Sequence, residues 1–74
     1  MSGPDKKKLD KIIWQLHEGW GESARMEAAR DLGWLGTQAA DEAVPELIKA
    51  LQDDKSENVR VEAAISLQWI GLQA

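Results

Sequence analysis

The sequence repeats itself. Displaced by 35 residues, segment 9–36 lies over segment 44–71 without a gap, and ten of the 28 aligned positions are identical. The pairs are Ile13/Ile48, Leu16/Leu51, Glu22/Glu57, Arg25/Arg60, Glu27/Glu62, Ala28/Ala63, Ala29/Ala64, Leu32/Leu67, Trp34/Trp69 and Gly36/Gly71. Others are conservative, such as Ile12/Leu47 and Leu35/Ile70. A period of this size marks architectures in which one supersecondary unit buries its apolar face against the next. The fold must therefore be built from two copies of one small unit.

Each unit reads as two helices. In the second, Val44, Leu47, Ile48 and Leu51 recur at helical spacing and make one apolar stripe. Asp41 is placed to cap this helix, and Pro45 is expected in its first turn. The polar run Asp53-Asp54-Lys55-Ser56 then predicts a turn, with both aspartates as solvated cap residues. Val59, Ala63, Leu67 and Ile70 form the next stripe, with Gly71 at the expected C-cap. The first unit repeats this with Leu9, Ile12, Ile13 and Leu16, a turn at Gly19–Gly21, and Ala24, Ala28, Leu32 and Leu35 before Gly36. The linker 37–40 is short, so the hairpins must be neighbours. Ala28, Ala29, Ala63 and Ala64 leave room for close helix approach. The reading is all-α: one domain over 1–74, with repeat one at about 5–36 and repeat two at about 41–72, forming a four-helix right-handed solenoid fragment.

The stretch Ala43-Val44-Pro45-Glu46-Leu47-Ile48-Lys49-Ala50-Leu51-Gln52-Asp53 resembles the first helix of a HEAT-like repeat of the phycobilisome-lyase type. Val59-Arg60-Val61-Glu62-Ala63-Ala64-Ile65-Ser66-Leu67-Gln68-Trp69-Ile70-Gly71 resembles that family's second helix, V-R-x-x-A-A-x-A-L-G-x-I-G. Unit one matches more loosely, through Ala24-Arg25 and Leu32-Gly33-Trp34-Leu35-Gly36. The resemblance covers nearly everything after residue 8, with a period longer than the family's usual one. It implies a solenoid that offers a surface to protein partners.

Composition narrows the function. Seventy-four residues give too little chain for a deep enzyme cleft. The net charge of −4 argues against nucleic acid, because phosphate binding needs a basic stripe. Lys6, Lys7 and Lys8 form the only basic run and read as a solvated helix start. With no Cys there is neither a disulfide nor a thiolate metal site, and the redox compartment stays undetermined. No apolar stretch approaches a membrane span and no signal-peptide pattern is present, so a soluble protein is expected. His17 beside Glu18 lacks the convergent ligands that zinc requires. Ser2, Ser23, Ser56 and Ser66 have no second His to serve them as nucleophiles. Gly19 and Gly21 flank Trp20 without the Lys-Ser/Thr of a phosphate loop. Glu27 and Glu62 read as partners in weak surface pairs with arginines. No enzyme activity, cofactor, metal or small-molecule substrate is expected.

The aromatic usage points elsewhere. There is no Phe and no Tyr, but there are four Trp, the residue typical of binding hot spots. Around the last helix, Ala63, Leu67 and Ile70 lie within about 80° of Val59, while Val61, Ile65 and Trp69 fall at about 200–280°. The equivalent residues of the earlier helix are Met26, Arg30 and Trp34. Second helices line the concave face in the family resembled, so these six are expected to form one protein-binding patch. The alternative is that the short chain folds Trp34 and Trp69 into its own core. Trp14, His17 and Trp20 stand where Lys49, Gln52 and Lys55 stand in unit two, and are expected to form a second contact patch at one end. Trp20 alternatively covers the open end of the first hairpin.

Two units without obvious polar caps, Trp at surface positions and the opening Met1-Ser2-Gly3 lead to the expectation of an engineered protein. Two functions are open: a binding module that docks a separate protein, anchored by Trp34, Trp69, Ile65 and Met26, or a homodimer formed through the same patch.

Overall fold

A computed structural model describes residues 5–73; the opening Met1-Ser2-Gly3 lies outside them. Asp5 starts the first helix, α1 (Lys6–Glu18), by accepting a hydrogen bond from the Lys7 N–H at 3.0 Å. Gly19-Trp20-Gly21 turns the chain into α2 (Glu22–Leu35). Gly21 holds φ +90°, a conformation that strains other residues, and so fixes this turn. The linker leads to α3 (Ala40–Asp53) and a turn at 54–56 to α4 (Glu57–Gln73). Ser56 Oγ accepts from the Val59 N–H at 3.3 Å and caps α4.

Two helix boundaries differ from expectation. The residue before α3 is Ala39, and Asp41 lies inside the first turn, where its charge favours the helix dipole. Pro45 consequently falls in the second turn and leaves the exposed Asp41 carbonyl without its helical donor. α4 does not stop at Gly71 but continues through Gln73. Leu72, a good helix former, stands there in place of Thr37, whose hydroxyl donates to the Trp34 carbonyl at 3.0 Å where α2 ends.

The helices pack as two hairpins, α1 on α2 and α3 on α4, with α2 and α4 side by side and α1 touching α3. This is a helical solenoid arrangement. The Cα framework measures 35 × 25 × 16 Å, thin enough that one apolar layer serves all four helices. The core is aliphatic: Leu9, Leu16, Leu32, Leu47 and Val59 are its largest fully buried members, and the rest is mainly alanine. Each of those five contributes about 1.5–3 kcal/mol by burial. Small side chains let α2 and α4 approach closely. Gly33 and Ser66 face each other at the crossing, and a Cβ on Gly33 would lie 2.8 Å from the Ser66 Cβ. The Ser66 hydroxyl donates to the Ala29 carbonyl at 2.7 Å and closes the seam.

A polar lock joins the two turns. Asp54, expected in solvent, is buried and accepts from Arg25 Nε at 3.0 Å and from the Ser56 N–H at 2.8 Å. Arg25 also donates to the Gly19 carbonyl at 3.2 Å, and Arg60 makes the same bond one repeat later, to the Asp54 carbonyl at 2.7 Å. Among the described residues no buried side-chain N or O lacks a partner. Asp54 is buried because the second hairpin carries its turn against Arg25 of the first.

The expected core stripe of α3 is displaced. Its buried residues are Ala43, Leu47 and Ala50, whereas Ile48 and Leu51 are 40% and 36% exposed. Their counterparts Ile13 and Leu16 are covered because repeat two lies over repeat one, whereas none of the described residues lies over Ile48 and Leu51 in the same way.

Gly33→Ala tests the seam. In an ordinary helix this change stabilises by up to about 1 kcal/mol. Here the added methyl forces α2 from α4, and denaturant unfolding should show a net loss of about 1–3 kcal/mol. Arg25→Met should cost about 3 kcal/mol in the same measurement, because it leaves the Asp54 carboxylate buried and unpaired.

Candidate functional site

The outward side of the α2–α4 layer carries an apolar stripe. In α4 the residues that repeat every four positions from Val61 through Ile65 to Trp69 sit opposite the core, and all three are exposed. In α2 Trp34 is 64% exposed, Arg30 is exposed and Met26 is half-buried. The close seam between the two helices brings the indoles of Trp34 and Trp69 together, ring centroids 5.2 Å apart and planes tilted by 58°. Neither indole enters the core. This tilted arrangement is favourable for the ring quadrupoles and holds both side chains in place with their outer faces in water.

Arg30 borders the stripe and donates through Nη2 to Glu62 Oε2 at 3.0 Å, bridging α2 and α4. Hydrogen bonding to that carboxylate, and its charge, raise the Arg30 pKa above the ordinary guanidinium value. The pair is a polar margin to the apolar stripe. Leu72, 72% exposed at the end of α4, extends the apolar side. The sequence pattern hides it, because Gly71 predicts the helix end; only a helix running beyond that glycine gives Leu72 a helical position near the stripe.

The expected second patch is divided. Trp14 is exposed on α1 and Trp20 is 98% exposed in the first turn, so Trp20 covers nothing. His17 turns toward α3 instead, its Nε2 at 2.6 Å from Glu46 Oε1. That contact links α1 to α3 within the chain.

A shallow depression lies beside Trp20, between the two turns, lined by Gly21, Glu22, Arg25, Ser56 and Asn58. Glu22 accepts from the Ser56 hydroxyl at 2.7 Å and from the Asn58 amide at 3.2 Å. These hydrogen bonds, led by Ser56, hold the Glu22 carboxyl below the usual glutamate range. They satisfy the groups that line the depression and tie α2 to the start of α4.

Among the described residues no three of His, Cys, Asp or Glu converge, and no helix is long and apolar enough to cross a membrane. The arrangement offers shape, apolar surface and a charged margin. Comparison with protein families finds a match over residues 9–74 to the model described as HEAT repeats. Comparisons with curated proteins and with solved structures find no match.

The Glu22 contacts predict a pH dependence. A carboxyl whose folded pKa is lowered stabilises the fold above its unfolded pKa, and that stability is lost as pH falls through the folded value. Glu22→Gln should therefore be less stable than the unmodified chain at neutral pH, with the difference closing in acid. Thermal unfolding across a pH series measures this; a constant difference at all pH values would contradict it.

Proposed function

The chain belongs to the HEAT-repeat family, and from that premise we propose that it is an engineered, non-enzymatic module that docks a protein partner through its Trp-rich surface. HEAT repeats generally mediate protein–protein interaction. The observation that carries the finer reading is the paired Trp34 and Trp69, held together yet open to water beside Ile65 and Val61. A domain this small gains from burying indole, and here it leaves two adjacent indoles outside an aliphatic core. Such a cluster supplies a large, rigid apolar contact at low entropic cost, and Trp with a neighbouring Arg is the composition of interface hot spots. Arg30 and Glu62 give the patch a polar rim that fixes orientation.

In the proposed roles Trp34 and Trp69 are the central anchors, Ile65 and Val61 widen the contact, and Met26 adapts to the partner's shape. Trp14 and Trp20 provide separate exposed anchors, and His17 supports α1 from within. The engineered origin rests on Trp at four exposed positions, and a natural protein carrying the same four Trp would contradict it.

A second reading uses the same stripe. Val61, Ile65 and Trp69 are uncharged and lie along one helix, so two copies can meet through it about a twofold axis, each burying the other's indoles.

Light scattering after size exclusion, over a hundredfold range of concentration, separates the readings. A monomer throughout supports a separate protein partner, and a stable mass of twice the monomer supports the homodimer. In either case Trp69→Arg should weaken association by about 30-fold or more while leaving helicity unchanged, as for a hot-spot loss of at least about 2 kcal/mol. Loss of helicity in that variant would instead put Trp69 in the core.

A further inference from the structure

The Trp stripe is charged along one margin only. Glu27 and Asp31 stand one turn apart on the α2 side of the stripe, and both are exposed. Arg30 lies between them in the chain, but it gives its hydrogen bond to Glu62 across the seam. Its guanidinium feels the charges of Glu62, Asp31 and Glu27 together, which leaves two carboxylates uncompensated. Among the described residues neither Glu27 nor Asp31 has an ion pair. No lysine lies on α2 or α4; the lysines stand on α1, on α3 and in the turn before α4. On the α4 side the margin holds Ala64 and Gln68, exposed and uncharged.

The two carboxylates serve no local purpose. Glu22 and Glu57 occupy the first turns of α2 and α4, where the helix dipole favours them. Glu27 and Asp31 lie beyond the first turn, and like charges four residues apart repel. A shallow depression lined by Ser23, Ala24, Met26, Glu27 and Arg30 adjoins this margin. Met26 and Ala24 offer apolar contact to the stem of a long side chain, and Glu27 offers a carboxylate to its charged end.

We infer that the stripe docks an amphipathic helix of a partner protein carrying Lys or Arg along one margin, set against Glu27 and Asp31. The inference rests on the Trp stripe being a docking surface and names what that surface selects.

Shape restricts the occupant to a helix. From Val61 to Trp69, and from Met26 to Trp34, the apolar surface runs about 12 Å along the helix axes. Apolar residues at i, i+4 and i+8 of one partner helix span the same length. An extended segment would instead lay unpaired backbone N–H and C=O groups on side chains, because this all-helical face offers no strand edge. Charge then selects the margin. Acidic side chains there would meet Glu27 and Asp31 at close range, whereas basic ones complete the pairs. Glu27 precedes Trp34 by two turns, so the basic residue falls about 10 Å from the anchor over Trp34. A second copy meeting the stripe about a twofold axis brings another lysine-free face and leaves both carboxylates unanswered.

The probes are two synthetic helices of about 18 residues with the same leucine stripe. One carries lysine along a single margin, the other glutamate at the same places. Fluorescence anisotropy of the labelled peptides, titrated with the full chain at low salt, should give at least about tenfold tighter binding of the lysine helix. That preference should shrink in about 0.5 M salt. Glu27→Gln with Asp31→Asn should remove it, and Trp69→Arg should weaken both peptides, with helicity by circular dichroism unchanged in each variant. Equal binding of the two peptides, or a preference kept by the Glu27→Gln, Asp31→Asn chain, would overturn the inference and leave the Trp stripe a docking surface. Binding of the lysine helix that survives Trp69→Arg would overturn both readings. No binding of either peptide at millimolar concentration would overturn the inference, as would a stable dimer of the chain that the lysine helix does not disperse in sedimentation equilibrium.

Discussion

The close approach of α2 and α4 at Gly33 and Ser66 sets the rest of the structure. With no side chain on Gly33 the two backbones come near enough for the Ser66 hydroxyl to reach the Ala29 carbonyl. Ala28, Ala29 and Ala63 then fill the seam without a large residue. Once the helices meet in this way their outward residues are fixed in pairs, with Trp34 against Trp69 and Arg30 against Glu62. Core and candidate surface are therefore two sides of one contact. A larger residue at 33 would disturb both together.

The turns add a second constraint of a different kind. The Arg25–Asp54 pair is buried at the junction of the hairpins, and its value is as much register as stability. The carboxylate also organises the Ser56 turn, and Ser56 caps α4 while binding Glu22. One aspartate thus couples the ion pair between repeats, the start of α4 and the outer rim of the molecule. With the apolar layer so thin, this edge supports what the small core alone holds weakly.

The repeat made most of this legible before any coordinates. The 35-residue displacement located both hairpins, and the identical Ala and Leu pairs identified the seam. The helical angle of Val61, Ile65 and Trp69 also separated them from Val59 and Ala63. What periodicity did not reveal was the difference between equivalent positions. Leu16 and Leu51 are the same residue in the same pattern, yet one is sealed and the other open, because burial depends on what stacks above each hairpin. Asp54 read as a solvated turn residue because its partner, Arg25, is 29 positions away. His17 looked free for the same reason, with Glu46 on a helix two elements later. Gly71 looked like a helix end because Gly36 is one; the side chain that follows, Thr or Leu, decides between them.

Amide hydrogen exchange of the unmodified chain tests the claim that one seam holds the two repeats as a unit. The account predicts that the slowest amides lie in Ala28–Leu32 of α2 and Ala63–Ser66 of α4, and that both sets exchange together with the free energy of global unfolding. Slow exchange confined to one hairpin, with the other opening independently, would contradict it.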